Sequence, residues 1–343
     1  MRLYGGREIH AKEITHEARD AIAGPSLHQR MLSHPPSLAA VGPWVALVSL
    51  ILVFSLLNSR FFSVDNGLNI VRQASVLLVL GLAATFIILM GSIDLSVGSI
   101  VSLAGMTGSI LIRDHGELAI LLVLLIALAC GALNGVLFAY GRLPSFLVTL
   151  GTLFALNGVT LYVSGGIAVV VQPGLTIASI FSGDLWRIPC IALWAVGLLI
   201  VCMFVSKRTR FGRYMFAIGG GETVSKLSGV PVARYKFYAF VVAGLLAGIG
   251  GILLMFRING GDPAMGEPFL LPTIAAVVMG GTPLTGGVGG PHRTLLGVLI
   301  ITILSNGMNL ALVDPFLQNV VLGAVVIVAV ALTMDRRRVS LIK

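Results

Sequence analysis

Of the fourteen acidic residues in this chain, only Asp94 lies inside an apolar stretch, within Met90-Gly91-Ser92-Ile93-Asp94-Leu95-Ser96-Val97-Gly98-Ser99. A carboxylate at mid-bilayer costs about 2.5–3.5 kcal/mol on insertion scales, so its presence there calls for a physical reason. Two readings are open. In the first, Gly91 and Gly98 break the helix and Asp94 caps the next one by accepting from its free N–H groups, with Ser96 or Ser99 nearby. In the second, Asp94 meets a solute or gates its passage. A proton relay fits less well, because no second acidic residue or histidine within the apolar runs completes a chain.

A second glycine cluster runs from Met279 through Gly280, Gly281, Thr282, Pro283, Leu284, Thr285, Gly286 and Gly287 to Gly290. It shares the frame Met-Gly-x-x-x-Leu-(Ser/Thr)-x-Gly with the first, offset by 189 residues. Interrupted segments at matching places in two halves of a chain point to a pathway near the membrane midplane. Neither cluster has the G-x-x-x-x-G-K-(S/T) pattern of a phosphate loop or sits in a βα unit. Energy from ATP would therefore have to come from another chain. The apolar runs hold no Ser/His/Asp or Cys/His set, so no catalytic residue, metal site or cofactor is expected. Cys130, Cys190 and Cys202 lack paired or metal-type spacing and read as small core residues.

A third feature is polar. The basic run Ser206 to Arg213 leads to Gly219-Gly220-Gly221-Glu222 and on to Ser228-Gly229-Val230-Pro231. Between Gly221 and Gly229 there is room for about two helical turns. Glu222 suits the N-terminal end by its charge, and Gly229 with Pro231 stops the helix. So short a helix is marginal alone and needs a docking surface.

The elements that must position these residues follow from composition. The chain has 343 residues, of which 57% are hydrophobic and only 11% charged, with a mean hydropathy of +0.99. That excludes an ordinary soluble domain, whose charged fraction is about 25%. Runs such as 118–140 are apolar on every side, which fits membrane helices and not the alternating strands of a barrel. The expected fold is an all-α polytopic transmembrane helical bundle of about ten spans. Clear spans are 38–57, 118–140, 145–163, 188–205, 237–256, 294–312 and 316–334. Three more, 74–90, 95–112 and 269–281, read as short or interrupted, which makes the helices discontinuous near 91–99 and 279–290.

The 23 basic and 14 acidic residues give a net charge of +9. With ten spans both termini share a side, and Lys and Arg then divide 18 to 5 between the two faces. The richer face, with the N-terminal tail, Arg142, residues 206–236, Arg293 and the basic C-terminus, is read as cytoplasmic. The basic excess thus marks cytoplasmic loops, and no nucleic-acid partner is expected. Residues 1–36 carry five basic and four acidic side chains and four of the six histidines, without a metal-ligand spacing. They read as a solvated cytoplasmic tail before an uncleaved anchor.

The stretch Gly91 to Ser99 resembles the G-G-I-D-L-S-V-G-S signature of permease subunits from ribose, xylose and arabinose-type ABC importers, in the superfamily that also holds branched-chain amino acid permeases. Further similar stretches are Leu143 to Thr152, Thr209-Arg210-Phe211-Gly212-Arg213, the Ala217-Ile218-Gly219-Gly220 run into Glu222 and Ser228-Gly229, and Gly280-Gly281-Thr282 with Leu284 to Gly287. They cover about residues 40–338, in order. Ser92 departs from the family's glycine, Thr223-Val224 from its frequent Ala-Ala, and Gly290-Pro291-His292-Arg293 from its G-x-x-x-G-T continuation at a cytoplasmic turn.

The resemblance implies a permease domain over 37–335, with 206–236 as its cytoplasmic coupling loop and 336–343 as a basic cytoplasmic tail. It implies a bacterial inner membrane location and a second permease copy, identical or related. It also implies a cytoplasmic ABC ATPase subunit and a periplasmic or lipid-anchored solute-binding protein. Residues 222–229 look like the family's coupling helix, so Arg213, Glu222, Lys226 and Gly229 are expected to meet the ATPase. For the path or the broken-helix region the candidates are Asp94, Ser96, Asn134, Thr149, Asn157, Thr282 and Thr285. The resemblance implies a monosaccharide or similar polyhydroxylated solute as cargo, and scarce intramembrane charge favours a neutral one. Nucleosides, furanose signals and branched-chain amino acids remain alternatives, as does, from a different class, an ion-coupled transporter or channel.

Overall fold

The computed structural model describes residues 38–171 and 174–333; the two expected tails, 1–36 and 336–343, lie outside them. Among the described residues, 43–171 and 174–333 belong to one compact unit, and residues 38–42 open helix α1.

The described chain is almost wholly helical. In order it forms α1 (Leu38–Leu57), α2 (Val64–Leu89), α3 (Val97–His115), α4 (Ile120–Ala139), α5 (Ser145–Ser164), the short α6 (Thr176–Ser182), and α7 (Cys190–Arg208). These are followed by α8 (Arg210–Gly220), α9 (Glu222–Leu227), α10 (Val232–Ile258), α11 (Leu270–Met279), α12 (Pro291–Leu310) and α13 (Pro315–Thr333). Two-residue strand pairs, Val169–Val170 with Gly260–Gly261 and Asp184–Leu185 with Ile188–Pro189, only tie off loops. By length and composition, α2, α4 with the turn before it, α5, α7, α10 and α12 can each cross a membrane.

Helix α2 corrects the expectation of a short span at 74–90. It runs 26 residues, because Asp65, Asn66, Asn69, Arg72 and Gln73 depress hydropathy without ending the helix. Asn66 and Asn306 bond side chain to side chain in the interior at 2.9 and 3.1 Å, and Arg72 pairs with Asp184 at 2.9 Å. At about 1.5 Å per residue α2 is about 39 Å long, enough to cross unaided. The turn after it therefore joins two helices and does not interrupt a span. Helix α11 is different, with 10 residues or about 15 Å.

The core centres on α10, which packs most extensively on α4, then on α3 and α2. Lipid offers helices no hydrophobic drive to associate, so close packing of small residues must bring them together. Ala127, Gly131 and Gly135 of α4, four residues apart, meet Gly248, Gly244 and Phe237 of α10 in turn. A methyl group on Gly244 would stand 2.6 Å from the Ala127 carbonyl oxygen. Helix α3, rich in Gly, Ser and Thr, is buried from Val97 to Ser109 and is walled by protein. Gly98 sits within it, not at a break: a methyl there would lie 2.9 Å from the Gly266 carbonyl oxygen. Cys130, Cys190 and Cys202 are free thiols.

Candidate functional site

The chain leaves α2 through a left-handed glycine. Gly91 has φ +76°, its N–H donates to the Ile88 carbonyl, and the Ser92 N–H reaches back to the Ile87 carbonyl. This closing motif satisfies the last carbonyls of the helix. Asp94 follows, 5% exposed. Its Oδ1 accepts from the Ser96 N–H at 2.8 Å and the Ser96 hydroxyl at 2.6 Å. The Ser96 oxygen in turn accepts from Asn134 Nδ2 of α4 at 2.8 Å. Asp94 thus holds the residue that precedes α3 but does not cap the helix's inner N–H groups, and Ser99 bonds instead to the Ser96 carbonyl. The Ile93 N–H donates to Ser145 Oγ at 3.3 Å, tying the turn to the start of α5.

Helix α11 ends by the same motif: Gly281 has φ +97°, with Gly281 N–H bonded to Val278 and Thr282 N–H to Val277. The structural offset from the first turn is thus 190 residues, not 189. Helices α5 and α9 close by the same two hydrogen bonds, so the motif by itself does not argue for an internal repeat. Thr282 is buried and its Oγ1 accepts from the Gly290 N–H, while Arg293 Nη1 donates to the Gly281 carbonyl at 3.0 Å. Thr285 is exposed. Pro291, which departs from the family pattern, is the first residue of α12 and so occupies a favourable place at a helix start.

Helix α9 occupies Glu222 to Leu227, between Gly221 and Gly229 with φ +80°. Glu222 is held from two sides, by Lys226 at 2.7 Å one turn on and by Lys236 of α10 at 2.7 Å. Lys236 also stands 4.6 Å from the centre of the Phe138 ring at the end of α4. Burial pushes the Glu222 carboxyl up, but the hydrogen bonds and charges of the two lysines outweigh it and hold it below its ordinary value. A depressed carboxylate stabilises the folded state above its unfolded pKa and loses that contribution as pH falls through the folded one, so the clamp is intact at neutral pH. Val224 and Leu227 are 67% and 85% exposed, which leaves an apolar outer face on a helix too short to stand alone. Arg213 of α8 is exposed and reaches the Arg208 carbonyl at 3.4 Å. Phe138, Tyr140, Arg142, Glu222, Lys226 and Lys236 line a crevice of about 660 Å³ beside α9.

The structure therefore joins Asp94, Ser96 and Asn134, and separately Glu222 and Lys226. On α5, Thr149 returns its hydroxyl to the Ser145 carbonyl at 2.9 Å, and Asn157 Nδ2 contacts Glu267 at 3.4 Å. Asn134 Oδ1, Asn157 Oδ1 and Thr273 Oγ1 are buried without a hydrogen-bond partner. Thr273 escaped sequence reading, since a lone threonine in the apolar α11 gives no signal. Lys236 escaped too, because its partner lies fourteen residues away. Among the described residues no cluster of His, Cys, Asp or Glu could hold a metal ion.

Residues 66–330 match the family described as branched-chain amino acid transport system / permease component. The chain is 38% identical over 293 residues to the ribose import permease protein RbsC of Haemophilus influenzae, covering 84% of this chain and 90% of that one. It is 36% identical over 313 residues to the ribose import permease of Bacillus subtilis, covering 90% and 97%. The D-allose transport system permease protein AlsC of Escherichia coli is 32% identical over 295 residues, covering 85% and 90%. No solved structure matches the chain.

Proposed function

The chain belongs to the family of branched-chain amino acid transport system permease components, and from that membership we propose that it forms the path of a bacterial ABC importer for a monosaccharide. Its relatives are transport components, and ATP hydrolysis resides in a partner ATPase. The observation that carries the choice of cargo is the set of neutral polar atoms left over inside the bundle, on Asn134, Asn157 and Thr273. A buried polar atom without a partner is unfavourable unless a visiting molecule satisfies it. A sugar offers hydroxyls to do so. An amino-acid zwitterion would call for a fixed cation and a fixed anion. Among the described residues, Asp94 is the only buried acid or base, and its Oδ1 is already engaged by Ser96. The ribose and allose relatives support the same reading.

In this proposal the chain passes the inner membrane ten times, the pass between α10 and α12 being made by the 10-residue α11 with its flanking segments, and both termini are cytoplasmic. A second permease copy, identical or related, completes the path, and a periplasmic or lipid-anchored binding protein delivers the sugar. Asp94, Ser96, Asn134, Asn157 and Thr273 lie along or brace the path, and Thr285 remains a candidate. Thr149 and Thr282 brace their own segments. Helix α9 docks on the ATPase through Val224 and Leu227, with Glu222, Lys226 and Gly229 fixing its pose and Arg213 beside it.

Proteoliposomes with the chain, its ATPase and its binding protein should take up ribose or allose only with ATP. Uptake of leucine and of no sugar would move the assignment to amino acids, and accumulation by the chain alone on an ion gradient would remove it. Glu222→Lys should insert normally but hydrolyse ATP without uptake, because a cation there repels both lysines. Wild-type coupling in that variant would sink the role given to α9.

A further inference from the structure

Three segments distant in sequence meet backbone to backbone next to α9. The Gly287 N–H donates to the Leu89 carbonyl at 2.9 Å, which pins the 281–290 loop to the end of α2. A methyl group on Gly286 would stand 2.6 Å from both the Gly91 nitrogen and the Leu89 oxygen. One on Gly219, in the last turn of α8, would overlap the Leu89 oxygen and the Gly287 nitrogen, and one on Gly287 would stand 2.9 Å from the Gly220 nitrogen. Only Gly221 separates α8 from α9.

The bodies that meet are each firmly held. Phe211 at the start of α8 packs on Phe86 of α2 with ring centres 5.4 Å apart. The 281–290 loop is braced by Thr282 and Arg293, and the turn after α2 by the Asp94, Ser96 and Asn134 network. A side-chain contact absorbs a small displacement by changing rotamer, whereas main chain against main chain has no such give.

We propose that Gly219, Gly286 and Gly287 are positioning residues for coupling, through which a displacement of α9 is passed at once to the turn carrying Asp94 and to the loop between α11 and α12. This rests on the permease reading above. The glycines are required because any side chain would part the three segments. One input would thereby move two places on the path, without a separate linkage for each.

The test uses the complete transporter in proteoliposomes. Gly219→Ala, compared at equal membrane abundance, should lower sugar moved per ATP hydrolysed about tenfold. Gly197→Ala, in α7 where an added methyl meets nothing within 4 Å, should leave the ratio unchanged. An unaltered ratio in Gly219→Ala overturns the proposal. Should that variant fail to assemble, hydrogen exchange on the wild-type complex decides. Between ATP-free and ATP-analogue states, peptides covering 86–93, 215–227 and 281–290 should change protection together, and a change confined to 215–227 refutes the link. Wild-type protein without ATP-driven uptake would instead mark failure of the permease reading.

Discussion

The turn over residues 90–96 and the loop over 280–290 look alike as sequence and differ as structures. The first follows the 26-residue α2 and is held by side chains, with Asp94 binding Ser96 and Ser96 binding Asn134. The second follows the 10-residue α11 and is held mainly by its own backbone, with glycines in close approach and one threonine and one arginine as braces. Both use a glycine to stop a helix, Gly91 and Gly281, and the second adds Gly286, Gly287 and Gly289, where the missing side chain lets chains touch. Similar motifs can therefore fail under different substitutions.

The largest expected effect is in the first turn. Asp94→Ala strands the buried Ser96 N–H and hydroxyl and should lower stability by about 2–4 kcal/mol, read as thermal unfolding of the purified chain in detergent. Asp94→Asn keeps an oxygen acceptor and should lose about 1 kcal/mol or less. Equal losses would show that charge, and not the acceptor, holds the turn. Next comes a paired glycine test. Gly289 has φ +114° and an added methyl would overlap Thr282, so Gly289→Ala should lose about 2–3 kcal/mol. Gly91 has φ +76° with the Thr285 carbonyl oxygen 3.1 Å from the added methyl, so Gly91→Ala should lose about 1–2 kcal/mol. Matching losses would erase the distinction between stopping and touching.

Thr282→Val removes the acceptor for the Gly290 N–H and should lower the unfolding free energy by about 1 kcal/mol, a smaller loss than Asp94→Ala because only one hydrogen bond goes. Smallest is Thr285→Ala, exposed, with a stability change within about 0.5 kcal/mol. A fall in sugar uptake at unchanged stability would assign Thr285 to the path, and unchanged uptake would remove it.

Apolar runs were legible because lipid demands them, and all ten expected segments fall on helices. The start of α2 was not, since Asn66 and Arg72 are tolerated through partners at Asn306 and Asp184, far along the chain. The limits of α9 were readable from Gly221, Glu222 and Gly229, but its second anchor was not, because nothing local marks Lys236. Asp94 announced itself by charge. Its grip on Ser96 is local, but that Ser96 meets Asn134 and leaves that amide's oxygen free depends on how α3 and α4 cross.

The seam of Ala127, Gly131 and Gly135 against α10 has a further consequence. Where Gly131 faces Gly244, a methyl on either would meet the other's backbone, so α4 and α10 have little room there to slide or roll and the pair should keep its geometry while other helices move. Distances from probes on this pair to any other helix would report that helix's own travel, state by state.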